Sequence, residues 1–170
     1  MLISPSYRAM NEAMHANPDY GNSGRMFGKV VRGILAADPG IRTALDYGCG
    51  KGTLKLAVPG VEWWEYDPAI SGKTAPPLPA DLVCCTEVLE YVEPENLDAV
   101  LDDLRRLSLR CCFMTVAFGA ALKTLPDGRN AHLIQKPEGW WNERLQKRFT
   151  LIHCYGSQFE TGNGMMVLGF

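Results

Sequence analysis

Three glycines at alternate positions, Gly48, Gly50 and Gly52, follow the apolar run Thr43-Ala44-Leu45-Asp46-Tyr47 and precede Thr53-Leu54-Lys55-Leu56-Ala57. Glycine enters left-handed backbone without steric penalty and lets a second group approach the main chain closely. A buried strand, a glycine turn and a helix in that order make the opening unit of a parallel α/β sheet. The first turn of the helix leaves N–H groups without intrahelical partners, so this turn is suited to receive a ligand.

The flanking chain repeats the alternation. Helical spacing covers Tyr7 to His15, and Asn17-Pro18-Asp19 with Gly21-Asn22 ends it. Ser23 caps a second helix whose Met26, Phe27, Val30, Val31, Ile34 and Leu35 recur at helical intervals until Asp38-Pro39-Gly40. Strands are expected at Val61–Tyr66, Leu82–Cys85 and Cys111–Ala117, with no strand in the proline-rich crossing Pro68–Pro79. Between the last two, Leu97, Val100, Leu101, Leu104 and Leu107 line one face of a helix, and Asp98, Asp102, Asp103, Arg105 and Arg106 face water. A helix near Trp140–Lys147 and strands at Phe149–Cys154 and Met165–Phe170 close the chain. Only a polar, glycine-containing link separates those two strands, so they should pair antiparallel. The expected fold is a three-layer, Rossmann-like α/β domain with a mostly parallel sheet and an antiparallel C-terminal strand.

At 170 residues the chain suits one domain, read as a helical lid (1–40), a ligand-binding core (41–117) and a substrate-side region (118–170). A net charge of −2 argues against a nucleic-acid partner. No apolar run is long enough to span a membrane. Six cysteines in no zinc or disulfide spacing read as buried thiols of a reducing compartment. No signal peptide is evident, so the expected location is the cytoplasm. Adjacent Cys84 and Cys85, like Cys111 and Cys112, should point to opposite faces of the sheet.

Three ligand classes use such a turn. A phosphate loop needs lysine followed by Ser or Thr, whereas Lys51 precedes Gly52. A dinucleotide fingerprint needs glycine at the position of Thr53. Asp46-Tyr47-Gly48-Cys49-Gly50-Lys51-Gly52 instead resembles the D-x-G-x-G-x-G signature of class I S-adenosylmethionine-dependent methyltransferases. Asp81-Leu82-Val83-Cys84-Cys85-Thr86-Glu87-Val88-Leu89-Glu90-Tyr91-Val92 is similar to a second segment of that family, with Tyr91 where histidine is usual. The stretches Tyr66–Ile70 and Leu125–His132 resemble small methyltransferase-like proteins of phages and bacteria.

The resemblance implies S-adenosylmethionine as cofactor and methyl transfer to an oxygen or nitrogen of a small-molecule substrate. It implies that the turn, Asp46 to Gly50 with Gly52, wraps the methionine end of the cofactor and that Asp46 helps hold its ammonium group. It implies a carboxylate on the ribose hydroxyls at the end of the second strand, where Glu65 and Asp67 are both candidates and Asp67 is favoured. The family's third strand is missing or degenerate here, replaced by Ser71–Pro79, which leaves Leu78, Pro79 and Thr86 to line the adenine pocket. Two alternatives stand beside this reading: a cofactor-binding module without turnover, and an RNA or DNA methyltransferase. The chain lacks the sequence motifs of amine or cytosine-C5 DNA methylation.

On the acceptor side the candidates for catalysis are His132, in the loop after the fourth strand, and Glu87, which competes with a capping role at a helix start. No metal ligands are expected. His15, Tyr20 and Arg25 read as packing or solvated residues, and His153 as a residue of the sheet. Of Trp140 and Trp141, one should enter the core while the other faces a pocket or partner.

Overall fold

The computed structural model describes residues 2–154 and 163–170. Its helices are α1 (Pro5–His15), α2 (Gly28–Ala37), α3 (Thr53–Ala57), α4 (Leu97–Leu107) and α5 (Glu138–Leu145). Its strands are β1 (Thr43–Tyr47), β2 (Glu62–Tyr66), β3 (Ala80–Thr86), β4 (Ser108–Ala117), β5 (Leu151–Cys154) and β6 (Gly164–Gly169). They form one sheet in the order β2-β1-β3-β4-β6-β5. The first four run parallel, and β6 pairs antiparallel with both β4 and β5. The link expected between the closing strands falls largely on residues 155–162, outside the described residues.

Each sheet face carries its own core, because successive strand residues alternate sides. Leu45, Val83, Cys85, Cys112 and Met114 pack under α4 and α5, where Trp141 is fully buried. Ala44, Leu82, Cys84, Cys111 and Phe113 pack under α2 and α3 with Phe27, Val31 and Leu54. The paired cysteines therefore split between the layers, and all six are free thiols. The apolar stripe of α4 is buried along its whole length, from Leu97 to Leu107. Trp140 stays half-exposed, its ring stacked by the Arg144 guanidinium 3.4 Å from its centroid.

From β1 the chain moves outward to β2, then returns past β1 to β3, so β1 and β3 flank the point where strand order reverses. Ligands of open α/β sheets bind outside the carboxyl ends of the strands at such a point. Among the described residues no strand lies outside β2, and residues 67–79 form turns, bends and irregular chain, as the proline-rich crossing predicts. Among the described residues no helix is long and apolar enough to cross a membrane.

Candidate functional site

The glycine turn is held by the end of β2, where the Tyr66 carbonyl accepts from the N–H groups of Gly48 and Cys49 (2.8 and 3.0 Å). Gly48, Gly50 and Gly52 have φ of +74°, +51° and +72°, a left-handed run that side chains would strain. A Cβ at Gly48 would overlap Val88, and one at Gly50 would overlap the carbonyl of Gly21. The close approach expected at Gly50 is thus made by the protein's own N-terminal segment. The Lys51 amide donates to Gly21 O (2.6 Å), Lys51 Nζ donates to His15 O (2.6 Å), and Thr53 Oγ1 donates to Asn22 O (2.9 Å).

A cavity of about 240 Å³ lies between this turn, the ends of β1–β3 and the N-terminal segment. Asp46, Tyr47, Gly48, Cys49, Gly50, Asp67, Thr86 and Glu87 all line it. Asp46 is only 2% exposed, and one of its carboxylate oxygens has no hydrogen-bond partner among the described residues. Burial, with the negative charge of Glu65 second, pushes its carboxyl up to about 7. A buried, half-unpartnered carboxylate is strongly disfavoured unless a cation or donor completes it. Asp67 accepts from the N–H groups of Gly50 (3.1 Å) and Ala69 (2.9 Å), which fix both oxygens at the cavity edge.

Glu65 and Gly52 do not line the cavity. Glu65 points behind the turn to Lys73 Nζ (3.1 Å) and Lys55 Nζ (3.8 Å), and fills the space a side chain at Gly52 would need. Leu78 and Pro79 are also absent from the wall. Leu78 is largely exposed, because the proline-rich chain passes outside the sheet edge. Pro68, Ala69 and Val88 stand beside Thr86 in their place.

Glu87 does not open a helix. Its φ is +57°, and the chain makes two short 3₁₀ turns, at Leu89–Tyr91 and Pro94–Asn96, before α4 begins at Leu97. Left-handed backbone in a non-glycine residue is a local strain of the kind that collects at functional sites. Its amide donates to Thr115 Oγ1 (2.9 Å), that hydroxyl lies 3.4 Å from its Oε1, and burial raises its carboxyl. Glu90 is fully buried, accepts from the Ala117 amide (3.0 Å) and keeps one oxygen unpartnered. Burial, then the Glu87 charge, raises its carboxyl well above the ordinary range.

His132 is buried behind the cavity wall. Its Nδ1 lies 2.7 Å from Gly119 O, and its ring packs edge-on to Tyr91, which does line the cavity. Burial lowers its basicity. The residues that sequence reasoning undervalued are Asn11, His15 and Tyr20, all on the wall; Arg25 is not. Tyr20 was the available signal, a large aromatic between Asp19 and Gly21 in an otherwise polar turn. His153, on β5, lies 3.5 Å from Glu138. Among the described residues no group of three or more potential ligands gathers to hold a metal.

The sequence matches no family model and no curated protein. Solved structures do match. The 1,6-didemethyltoxoflavin-N1-methyltransferase of Burkholderia thailandensis, with 1,6-didemethyltoxoflavin and S-adenosylhomocysteine bound, superposes with a TM-score of 0.68 over 99% of this chain and 91% of its own, at 16% identity. The magnesium protoporphyrin IX methyltransferase of Synechocystis PCC 6803, with S-adenosylhomocysteine bound, gives 0.63 over 96% of each chain, also at 16% identity. The chain has the class I methyltransferase fold. At this identity the likeness is one of fold, and activity has to be argued from the site. Within that methyltransferase fold, the cavity occupies the carboxyl ends of the strands where α/β folds bind ligands.

Proposed function

We propose that the protein transfers the methyl group of S-adenosylmethionine to an oxygen or nitrogen atom of a small-molecule acceptor. The observation that carries this reading is Asp46: a buried carboxylate in the lining of a cavity beside a glycine turn, with one buried oxygen unpartnered among the described residues. An ammonium group is the partner it lacks, and the cofactor's methionine end supplies one. Asp67, fixed at the opposite edge of the turn, accepts from the ribose hydroxyls, and Thr86 and Val88 face the base. The solved structures of the same fold that hold S-adenosylmethionine or its product support the assignment.

When bound, the cofactor provides a methyl group on a positively charged sulfur, open to in-line displacement. The protein's part is alignment, which is the main source of rate in such a transfer. Glu87 is the residue placed to take the acceptor's proton, since its raised carboxyl lies nearer to neutrality than an ordinary glutamate. His132 reaches the cavity through its contact with Tyr91, so its role is to position that ring. Residues 1–40 serve as a lid and 118–170 as the acceptor side. Five buried cysteines, all free thiols, fit a reducing cytoplasm.

Calorimetric titration with S-adenosylhomocysteine tests this. Saturable binding at one site is expected, followed by methylation of a small acceptor in a screen. A folded sample that binds no S-adenosylhomocysteine overturns the reading.

A further inference from the structure

His15 is placed in a way that packing does not explain. It ends α1, and its ring lies in the cavity wall beside Asp67. Nδ1 is buried with no hydrogen-bond partner among the described residues. Nε2 stands 3.8 Å from Asp67 Oδ2, beyond the reach of a hydrogen bond. Burial lowers the basicity of the ring against the pull of the Asp67 carboxylate. A neutral imidazole carries one donor and one acceptor, and among the described residues neither is used.

The surrounding chain nevertheless holds the ring firmly. Its edge packs on Tyr20, with centroids 4.8 Å apart. Lys51 Nζ ties the His15 carbonyl to the glycine turn. Gly21, at φ +74°, leaves space for the imidazole, since a Cβ there would stand 2.8 Å from His15 Cε1. A ring packed against Tyr20 and over Gly21, on a backbone tied down by Lys51, with idle polar atoms, is arranged for something outside the chain. At 3.8 Å the two atoms are too close to hold an oxygen between them, but one hydroxyl oxygen seated to the side of both can donate to the carboxylate and accept from the ring.

We infer that His15 is a second ligand for the ribose of the cofactor, gripping one hydroxyl together with Asp67. The inference rests on the proposed function and adds a residue from the N-terminal segment to it. The hydroxyl accepts from Nε2–H and donates to Asp67 Oδ2. Nδ1 then keeps its bare lone pair, pressed against Gly21 where no donor is available.

The test compares two ligands on the full chain by calorimetry: S-adenosylhomocysteine and its 2′,3′-dideoxy analogue. His15→Phe keeps a ring against Tyr20 and removes both nitrogens. It should bind S-adenosylhomocysteine about tenfold more weakly than the wild type while its affinity for the dideoxy analogue stays within twofold. His15→Gln, which retains a donor, should recover at least part of the loss and covers the case in which His15→Phe does not fold. Equal losses for both ligands mean that the ring only packs, and no loss for either means that it holds nothing; each overturns the inference. Failure of the wild type to bind S-adenosylhomocysteine is a separate outcome, and it overturns the proposed function and this inference together.

Discussion

Asp46→Asn should make the protein more stable at alkaline pH and worse at holding its ligand. In the folded chain the Asp46 carboxyl is raised from 3.8 to about 7, chiefly by burial. Folding therefore favours the protonated form. Its contribution is greatest below the unfolded value and is lost as pH rises through 7. At roughly 1.4 kcal/mol per pH unit, the gap of about three units makes the ionised side chain a burden of about 4 kcal/mol at pH 8. At pH 5, where most folded molecules keep the proton, the same linkage gives only about 2 kcal/mol. Asparagine does not ionise, and any loss of its own hydrogen bonding is the same at both pH values. The stability of Asp46→Asn relative to wild type, from urea denaturation, should therefore improve by about 2 to 3 kcal/mol between pH 5 and pH 8. Other buried carboxyls, Glu87 and Glu90 among them, titrate in both proteins and cancel from the difference. Adding S-adenosylhomocysteine should narrow the gap at pH 8, because its ammonium supplies the partner that Asp46 lacks. A difference that stays flat between the two pH values would refute the claim that Asp46 is the uncompensated charge of this site.

Three further outcomes follow from the geometry. Asp67→Ala should weaken S-adenosylhomocysteine binding tenfold or more by calorimetry, whereas Glu65→Ala, which removes a group behind the turn, should change it less than threefold. Gly50→Val should lower stability by more than about 2 kcal/mol in denaturant, since its Cβ collides with the Gly21 carbonyl on backbone already at φ +51°; unchanged stability would show that the N-terminal segment does not rest there in solution. Once an acceptor is found, Glu87→Gln should reduce kcat about a hundredfold with S-adenosylhomocysteine affinity retained, while His132→Ala should act more mildly, through Tyr91.

Much of this architecture is legible in sequence where punctuation is local. Glycines and prolines bound β1 and α3, and the five-residue stripe from Leu97 to Leu107 marks α4. The helix-to-strand junction after α4 is less so. β4 begins at Ser108, immediately after Leu107, where the Ser108 hydroxyl donates to the Leu104 carbonyl and the chain turns without a loop residue. Asp46 and Asp67 are legible for the same local reason, since each stands where a strand meets its turn, although Glu65 at the same end of β2 points behind the turn. What sequence hides is contact between distant segments. Nothing in the chain near Gly50 announces that Gly21 lies against it, and nothing near Asp67 announces His15. Glu87 misleads because its spacing to Glu90 looks like a helix start, whereas the backbone there bends the other way.

The contact between Gly21 and Gly50 binds two distant codons into one evolutionary character. A side chain at Gly50 would strike the Gly21 carbonyl, one at Gly21 would meet the His15 ring first and then Gly50 Cα at 3.3 Å, and both residues already sit in left-handed backbone. A larger residue at Gly50 meets backbone that any residue at 21 presents, and a larger residue at Gly21 displaces the His15 ring, so either change pushes the N-terminal segment off the turn. Natural variants of this chain are expected to keep both glycines or to lose the docking of the N-terminal segment altogether.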